Sequence, residues 1–227
     1  MKFLGDRVSL VMNFICRRQA RLDGIRINVP LIAKYLGDYP TLINYNNKTF
    51  LPDVSSLFQN AGIEKLHFQN DLDKMWAKVT LDLISMTDSP YILFLADDAR
   101  PAEFLENNYF EKLVDEFEKY NCEHMLCGKI SKYNTSYWDD HYHIKTKNLL
   151  ICESDNSPFS DLPLDALMTR GFFIDNLKKV IDYKGHSGLV AFEHLLIRDD
   201  EGRGKSRVSK KITHCVPVKD VFYHAHC

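Results

Sequence analysis

The sequence predicts one α/β domain with a mainly parallel central sheet and helices on both of its faces. Short apolar runs that suit buried strands alternate with segments whose apolar residues recur every three or four positions. Strands separated by helical connections are typical of parallel sheets, because the crossover helix returns the chain to the same edge. The 227 residues, 45% of them hydrophobic, suffice for one sizeable core, and we find no internal repeat or linker that would divide it.

The charge balance excludes a protein that binds nucleic acid through a broad basic face. Lys and Arg number 29 against 31 for Asp and Glu, a formal net charge of -2. No apolar run approaches the roughly 18 residues that a membrane-spanning helix needs. Asp6 and Arg7 interrupt the apolar character of the first ten residues, so we expect no leader peptide and a cytoplasmic protein. The six cysteines follow no disulfide framework and are expected to be reduced.

The helices and strands expected in the first half are predicted from the spacing of apolar residues and from the positions of two prolines. Residues 71–86 carry one apolar stripe, which predicts a helix. Pro30 suits the first turn of a helix over 30–36, and Pro101 that of a later helix whose apolar face includes Phe110 and Phe117. The continuous run 91–95 predicts a central strand. The other strands expected in this half span 8–16, 41–45 and 63–68.

The pattern loosens after residue 120. Short apolar runs predict strands at 125–127, 149–151 and 172–174. The last of these is expected to lead into a helix that includes Leu177, and a short helix is expected over 192–198.

An acidic pair follows the central strand directly. Asp97 and Asp98 come after the five apolar residues of the strand and one alanine. Ligands of open α/β sheets bind beyond the carboxyl ends of the strands, and two carboxylates there can hold a hard divalent cation. If Pro101 opens a helix, Arg100 is its cap, so neither acid is needed for capping. Solvated turn acids remain the alternative.

The run YILFLADDARP resembles the strand and Asp-X-Asp motif of GT-A glycosyltransferases, with Ala96 at the first acidic position. The resemblance extends more weakly over most of the chain. It implies a single GT-A-like domain over 1–227, with a nucleotide-binding half at 1–120 and an acceptor-binding half at 121–227. It also implies a nucleotide diphosphate sugar as donor, with UDP-sugars favoured, and Mn²⁺ or Mg²⁺ as the metal ion.

The resemblance further implies roles for individual residues. Asp98 is the expected metal ligand, and Asp97 is expected to contact the ribose or the donor sugar. The end of the opening strand resembles the segment that contacts the base, and Asn44 stands near the place of an aspartate that binds uracil. The expected donor-binding set is Phe14, Arg17, Asn44, Lys78 and Asp97.

Glu193 and His194 resemble the acidic pair that carries the catalytic base of the family. Inverting transfer needs a base to remove the proton of the acceptor hydroxyl. Glu193 is narrowly favoured as that base. The alternative is that Glu193 complements the N-terminal dipole of a short helix while His194 is a surface residue.

Two histidines near the C-terminal end, His224 and His226, would point to the same side of a strand. Imidazole is a good ligand for manganese-like ions, and His224 resembles the late histidine with which many GT-A enzymes complete the metal site. The alternatives are terminal histidines without a role, or a zinc site formed with His214, Cys215 and Cys227.

The sequence leaves two possible roles open for each of two predicted loops. The basic, glycine-containing segment 201–211 would close over a diphosphate or would simply be a solvated loop. The aromatic segment 133–143 would stack on an acceptor sugar or would cover the edge of the core.

The sequence therefore predicts a metal-dependent, inverting glycosyltransferase with a glycan or glycoconjugate acceptor, as in polysaccharide biosynthesis. A sugar-phosphate nucleotidyltransferase is one alternative, although residues 13–17 lack the glycine-rich signature expected after its first strand. A non-catalytic nucleotide- or glycan-binding module is the other, and Ala96 favours it. The sequence leaves the oligomeric state open.

Overall fold

The computed structural model describes most of the chain. The described residues are 3, 5–14, 18–73, 75–102, 105, 108–128, 142–154, 165–184, 189, 191–192, 212–219 and 221–224. Within them the chain forms eleven strands and five helices.

Strands and helices alternate up to the fourth strand and become irregular afterwards. The strands are β1 (Val8–Phe14), β2 (Thr41–Tyr45), β3 (Leu66–Gln69), β4 (Tyr91–Phe94), β5 (Ala99–Pro101), β6 (His124–Leu126), β7 (Ile144–Lys145), β8 (Leu149–Ser154), β9 (Ala166–Thr169), β10 (Ile212–Pro217) and β11 (Phe222–His224). The helices are α1 (Gln19–Leu36), α2 (Leu51–Asn60), α3 (Trp76–Ile84), α4 (Tyr109–Lys119) and α5 (Arg170–Lys179).

Nine strands form one sheet in the order β3-β2-β1-β4-β9-β6-β10-β8-β7, and β11 pairs with β5 in a small second sheet. The first four strands of this order are parallel, but β9 runs antiparallel between β4 and β6, and β7 and β8 form an antiparallel hairpin. The sheet is therefore mixed, and the expectation of a mainly parallel sheet is corrected. The chain enters β9 at the edge where β4 ends, as the pairing of Ala166 with Phe94 shows, and this forces the opposite direction.

The helices cover both faces of the sheet, as the sequence predicted. Alternate residues of a strand point to opposite faces. Leu10 and Met12 of β1 face a core shared with α1, α2 and α4, whereas Val11 faces a second core shared with α3 and α5. No helix in the described part of the chain is long and apolar enough to span a membrane.

Helix α1 is longer than predicted. It begins at Gln19 and runs for 18 residues with Pro30 in its interior, not in its first turn. The buried residues Leu22, Ile25, Val29, Ile32 and Leu36 keep helical spacing on both sides of the proline. Burial of this apolar face stabilises the helix despite the hydrogen bond that Pro30 cannot donate.

Helix α3 is shorter than predicted, because side chains before it hold the backbone in turns. Oδ1 of Asp71 accepts from the backbone N–H of Asp73 at 2.8 Å, and Oδ1 of Asp73 accepts from that of Met75 at 2.9 Å. Such bonds compete with helix formation. The helix therefore begins at Trp76.

Two other elements differ from the prediction. Pro101 ends the short strand β5, where it pairs with Phe222, and the next helix begins only at Tyr109. Phe172 and Phe173 belong to helix α5, which is capped by the hydroxyl of Thr169 at its N-terminus. The strand of this region is instead β9, whose last residue is the cap Thr169. In both cases pairing between distant segments of the chain decides the structure.

Candidate ligand site at the switch point of the sheet

Strands β1 and β4 are adjacent and parallel, and the order of the strands reverses between them. After β1 it continues through α1 to β2 on one side, whereas β4 lies on the other side of β1. Such a switch point leaves a crevice at the carboxyl ends of the strands, where ligands of open α/β sheets bind. The acidic pair after β4 and the first turn of α1 both lie at this edge.

Asp97 forms an ion pair with Arg21 across the switch point. Nη1 of Arg21 donates to both carboxylate oxygens of Asp97. The carboxylate is 8% exposed while the arginine side chain is 47% exposed, so the acid lies beneath the cation. Burial raises the pKa of Asp97, and the hydrogen bond and charge of Arg21 oppose that rise. Asn28 of α1 donates to the backbone oxygen of Asp97 at 3.4 Å, which also ties α1 to this turn.

Asp98 is partly exposed, and β11 runs beside the residues that follow it. The register of the β5–β11 pair places His224 opposite Ala99, the next residue after Asp98. The backbone thus brings one predicted metal ligand close to another. The side chain of His224 and all of His226 lie outside the described atoms. Among the side chains that are described, no three His, Cys, Asp or Glu residues form a group that could hold a metal ion.

Asp165 is a candidate site residue that the sequence analysis missed. It is fully buried, and its Oδ1 accepts a hydrogen bond of 2.8 Å from the backbone N–H of Ala96. Its backbone oxygen accepts from Cys127 at 2.8 Å, and its φ of 66° lies in the left-handed region. Asp165 therefore joins the ends of β4, β6 and β9 at the acidic turn. An acid directly before three apolar residues was the available signal, but the strand wrongly predicted at 172–174 concealed it.

Asn44 is buried and holds a loop in place. Its Oδ1 accepts from the backbone N–H of Asp71 at 2.9 Å, and its Nδ2 donates to Oδ1 of Asn13 at 3.0 Å. Asn13 in turn donates to Thr80 of α3 at 2.9 Å. These bonds connect the ends of β1 and β2 to the loop 70–73 and to α3. A contact between Asn44 and a base remains a prediction.

The remaining predicted donor-binding residues lie in different surroundings. Phe14 is 7% exposed and packs edge-on against Tyr45, so it contributes mainly to the core beneath the crevice. Lys78 is exposed on α3 and pairs with Asp73, with 3.2 Å between Nζ and Oδ2. Arg17, Glu193 and His194 lie outside the described residues, as do almost all of the segments 133–143 and 201–211.

The arrangement offers both signs of charge at one sheet edge. Asp98 presents a carboxylate that a cation could use, and Arg21 presents a guanidinium that an anion could use. A ligand that combines phosphate groups with a divalent ion complements both.

No protein-family model matches the chain, and no curated protein matches it in sequence. Several solved structures are similar. For S. aureus TarS 1-349 in complex with UDP-GlcNAc the TM-score is 0.57 at 9% identity, over 96% of this chain and 58% of that one. For the complex of TarS 1-349 with UDP it is 0.57 at 10% identity, over 98% and 60%. For S. aureus TarS it is 0.60 at 10% identity, over 96% and 36%.

At such identities the similarity concerns the fold. It supports the glycosyltransferase-like α/β fold that the resemblance in the sequence implied, with a mixed sheet in place of a mainly parallel one. The chain spans 60% or less of the length of each of these TarS structures.

Proposed function

We propose that this chain is a glycosyltransferase that moves a sugar from a nucleotide diphosphate sugar, with UDP-sugars favoured, to an acceptor hydroxyl. One observation carries the proposal. The acidic pair Asp97–Asp98 lies at the switch point of a fold that also occurs in TarS 1-349, whose complex contains UDP-GlcNAc. The donor would therefore lie across the carboxyl ends of β1 and β4.

A divalent ion, Mn²⁺ or Mg²⁺, would be held by Asp98 and His224, with His226 as a further ligand. The partial exposure of Asp98 and the pairing of His224 with Ala99 fit this assignment. When bound, such an ion neutralises the charge that develops on the departing nucleoside diphosphate.

Glu193 would act as the base, and His194 is the other candidate. The acceptor oxygen forms a bond to the anomeric carbon while the bond from that carbon to the diphosphate oxygen breaks. The electron pair leaves with the nucleoside diphosphate, and the acceptor proton passes to the carboxylate of Glu193. Attack from the face opposite the leaving group would invert the anomeric carbon.

A second candidate function is a binding module that keeps the fold but lacks the chemistry. Ala96 favours it, since the first acid of the Asp-X-Asp pattern is absent. The pairing of Asp97 with Arg21 favours it as well, since that carboxylate already has a cationic partner.

The test is calorimetric binding and hydrolysis of UDP-GlcNAc by the purified chain, with and without Mn²⁺. The variants are Asp98→Asn and, as a matched control, Asp82→Asn, which alters an exposed carboxylate on α3. We expect Mn²⁺ to strengthen binding to the wild type at least tenfold, and Asp98→Asn to abolish that gain together with the hydrolysis. The control should behave as the wild type.

The other outcomes separate the alternatives. Binding without any hydrolysis, unchanged in Asp98→Asn, would favour the binding module. Binding of nucleoside triphosphates but not of UDP-GlcNAc would favour a nucleotidyltransferase. Failure to bind any nucleotide would contradict the proposal.

A further inference from the structure

We propose that Arg21 binds the diphosphate of the nucleotide donor, and that the buried carboxylate of Asp97 serves to hold its guanidinium at the switch point. This inference rests on the proposed function, because it assigns a residue to the donor site. It also changes the expected role of Asp97 from a contact with the sugar to a support for the arginine.

Arg21 lies beside the crevice between β1 and β4. It lies in the first turn of α1, which follows β1, and the acid that it contacts follows β4. Because β1 and β4 are neighbours in the sheet, the ion pair bridges the crevice between their carboxyl ends. A ligand seated in that crevice would meet the guanidinium.

The two members of the ion pair are buried to different degrees. An ion pair between two exposed side chains is held weakly, since both are free to reorient in water. Asp97 is instead 8% exposed, which fixes the carboxylate beneath Arg21. A buried carboxylate requires a partner, so it keeps the guanidinium in one place before any ligand arrives. A group that is already in position loses less entropy when it binds.

The donor geometry of an arginine suits phosphate groups. Nη1 of Arg21 donates to Asp97, and a guanidinium carries its N–H donors in a planar fork. Since the side chain is 47% exposed, solvent and ligands can reach it. Phosphate oxygens match this fork, which is why arginine is a common partner of phosphate groups.

The charges around Arg21 favour an anionic ligand. The first turn of α1 contains no acidic side chain, and Arg18 precedes it. Asp23, one turn further on, is paired with Arg26. The two acids after β4 would by themselves repel a diphosphate, and Arg21 neutralises one of them.

The experiment measures binding of UDP, uridine and inorganic pyrophosphate by calorimetry without added metal. Arg21→Gln and Arg21→Lys are compared with the wild type and with Arg26→Gln. The last is a matched control, since Arg26 lies on the same helix, is also 47% exposed and also pairs with an aspartate. Thermal melting of each variant checks that it is folded.

We expect Arg21→Gln to weaken UDP and pyrophosphate binding about tenfold or more, because a charge-assisted hydrogen bond to phosphate is lost. Uridine binding should change by less than about twofold, because it has no phosphate. Arg21→Lys should fall between the two, and Arg26→Gln should match the wild type. Equal binding of UDP by Arg21→Gln and the wild type would overturn the inference, as would an equal loss of UDP and uridine.

A double variant distinguishes the loss of a direct contact with phosphate from the indirect effect of leaving the Asp97 carboxylate without its cationic partner. Arg21→Gln with Asp97→Asn removes both charges and leaves no buried carboxylate without a partner. Weak pyrophosphate binding by this variant supports direct contact with Arg21, and wild-type binding overturns it. The nucleotide results test the proposed function separately. A wild type that binds pyrophosphate through Arg21 but no nucleotide contradicts the glycosyltransferase and its nucleotide donor, but it supports Arg21 as a residue that binds a diphosphate. A wild type that binds neither overturns both.

Discussion

The backbone N–H of Ala96 donates to Oδ1 of Asp165 over 2.8 Å, and this bond joins the turn after β4 to the start of β9. Asp165 is fully buried, and Ala96 is 8% exposed. The side chain of a residue 69 positions away thus supports the backbone from which Asp97 and Asp98 project. Where the Asp-X-Asp pattern has its first acid, this chain has an alanine whose backbone is bound by an acid that directly precedes another strand.

Replacement of Asp165 tests this support. Asp165→Ala should lower the free energy of unfolding by about 1–3 kcal/mol, because it leaves the buried N–H of Ala96 without its acceptor. Asp165→Asn should cost less, since its amide oxygen can still accept and Asn tolerates the left-handed φ of 66°. Urea denaturation measures both, with Asp182→Ala at an exposed turn position as the control. Equal stability of Asp165→Ala and the wild type would contradict the role.

The buried histidine pair predicts a loss of stability in acid. His124 and His214 lie on paired positions of β6 and β10 with their Nδ1 atoms 3.1 Å apart. Burial lowers the pKa of His214 to about 4 and also lowers the pKa of His124, which His214 depresses further. The unfolded chain therefore takes up these protons more readily than the folded one.

Stability from this pair should be complete above pH 6.5 and be lost as the pH falls from 6.5 toward 4. For His214 alone the loss at pH 4 is roughly 3 kcal/mol. Denaturation series at several pH values measure it. His214→Gln should flatten the slope over this range, whereas His67→Gln, on the partly exposed strand β3, should retain the slope of the wild type. A slope that His214→Gln leaves unchanged would show that other groups cause the loss.

The proline within α1 predicts a stabilising substitution. Pro30 is exposed in the helix interior, where it cannot donate the hydrogen bond to the carbonyl one turn before it. Pro30→Ala should therefore raise the free energy of unfolding by about 1–2 kcal/mol. Pro52→Ala is the control, because Pro52 lies in the first turn of α2, where an N–H has no partner within the helix. A thermal midpoint for Pro30→Ala at or below that of the wild type would refute this prediction.

The hydrogen bonds of Asn44 predict that its replacement lowers the stability of the fold and loosens the loop 70–73. Asn44→Ala should destabilise the fold by about 1–3 kcal/mol, because it removes a buried hydrogen bond to Asn13 and a partly buried one from Asp71. Hydrogen exchange should speed up at the backbone N–H of Asp71 in particular. Asn60→Ala, at the exposed end of α2, should leave both quantities unchanged. If exchange at Asp71 is as slow as before, the loop is held by other contacts.

Elements whose signal lies in neighbouring residues were predictable. The buried face of α4, formed by Phe110, Leu113, Val114 and Phe117, follows from helical spacing alone. The continuous apolar run predicts strand β4, and the acids directly after that run are predicted to lie at the end of the strand. The predictions that placed Pro30 and Pro101 in the first turn of a helix considered only neighbouring residues, and both were wrong. The packing of α1 decides the first case, and the pairing of β5 with β11 decides the second.

The sequence by itself determined the four parallel strands of the first half, the apolar face of α4 and the acids at the end of β4, because these depend on the pattern of adjacent side chains. Only the tertiary structure decided that β9 runs antiparallel beside β4 and that Asp165 reaches Ala96. It also decided that Arg21 covers Asp97, 76 positions further along the chain. Such partners are distant in sequence, and a single chain's residue pattern does not encode which polar groups meet. They are chosen by the register of the strands and by the requirement that a buried charge have a partner.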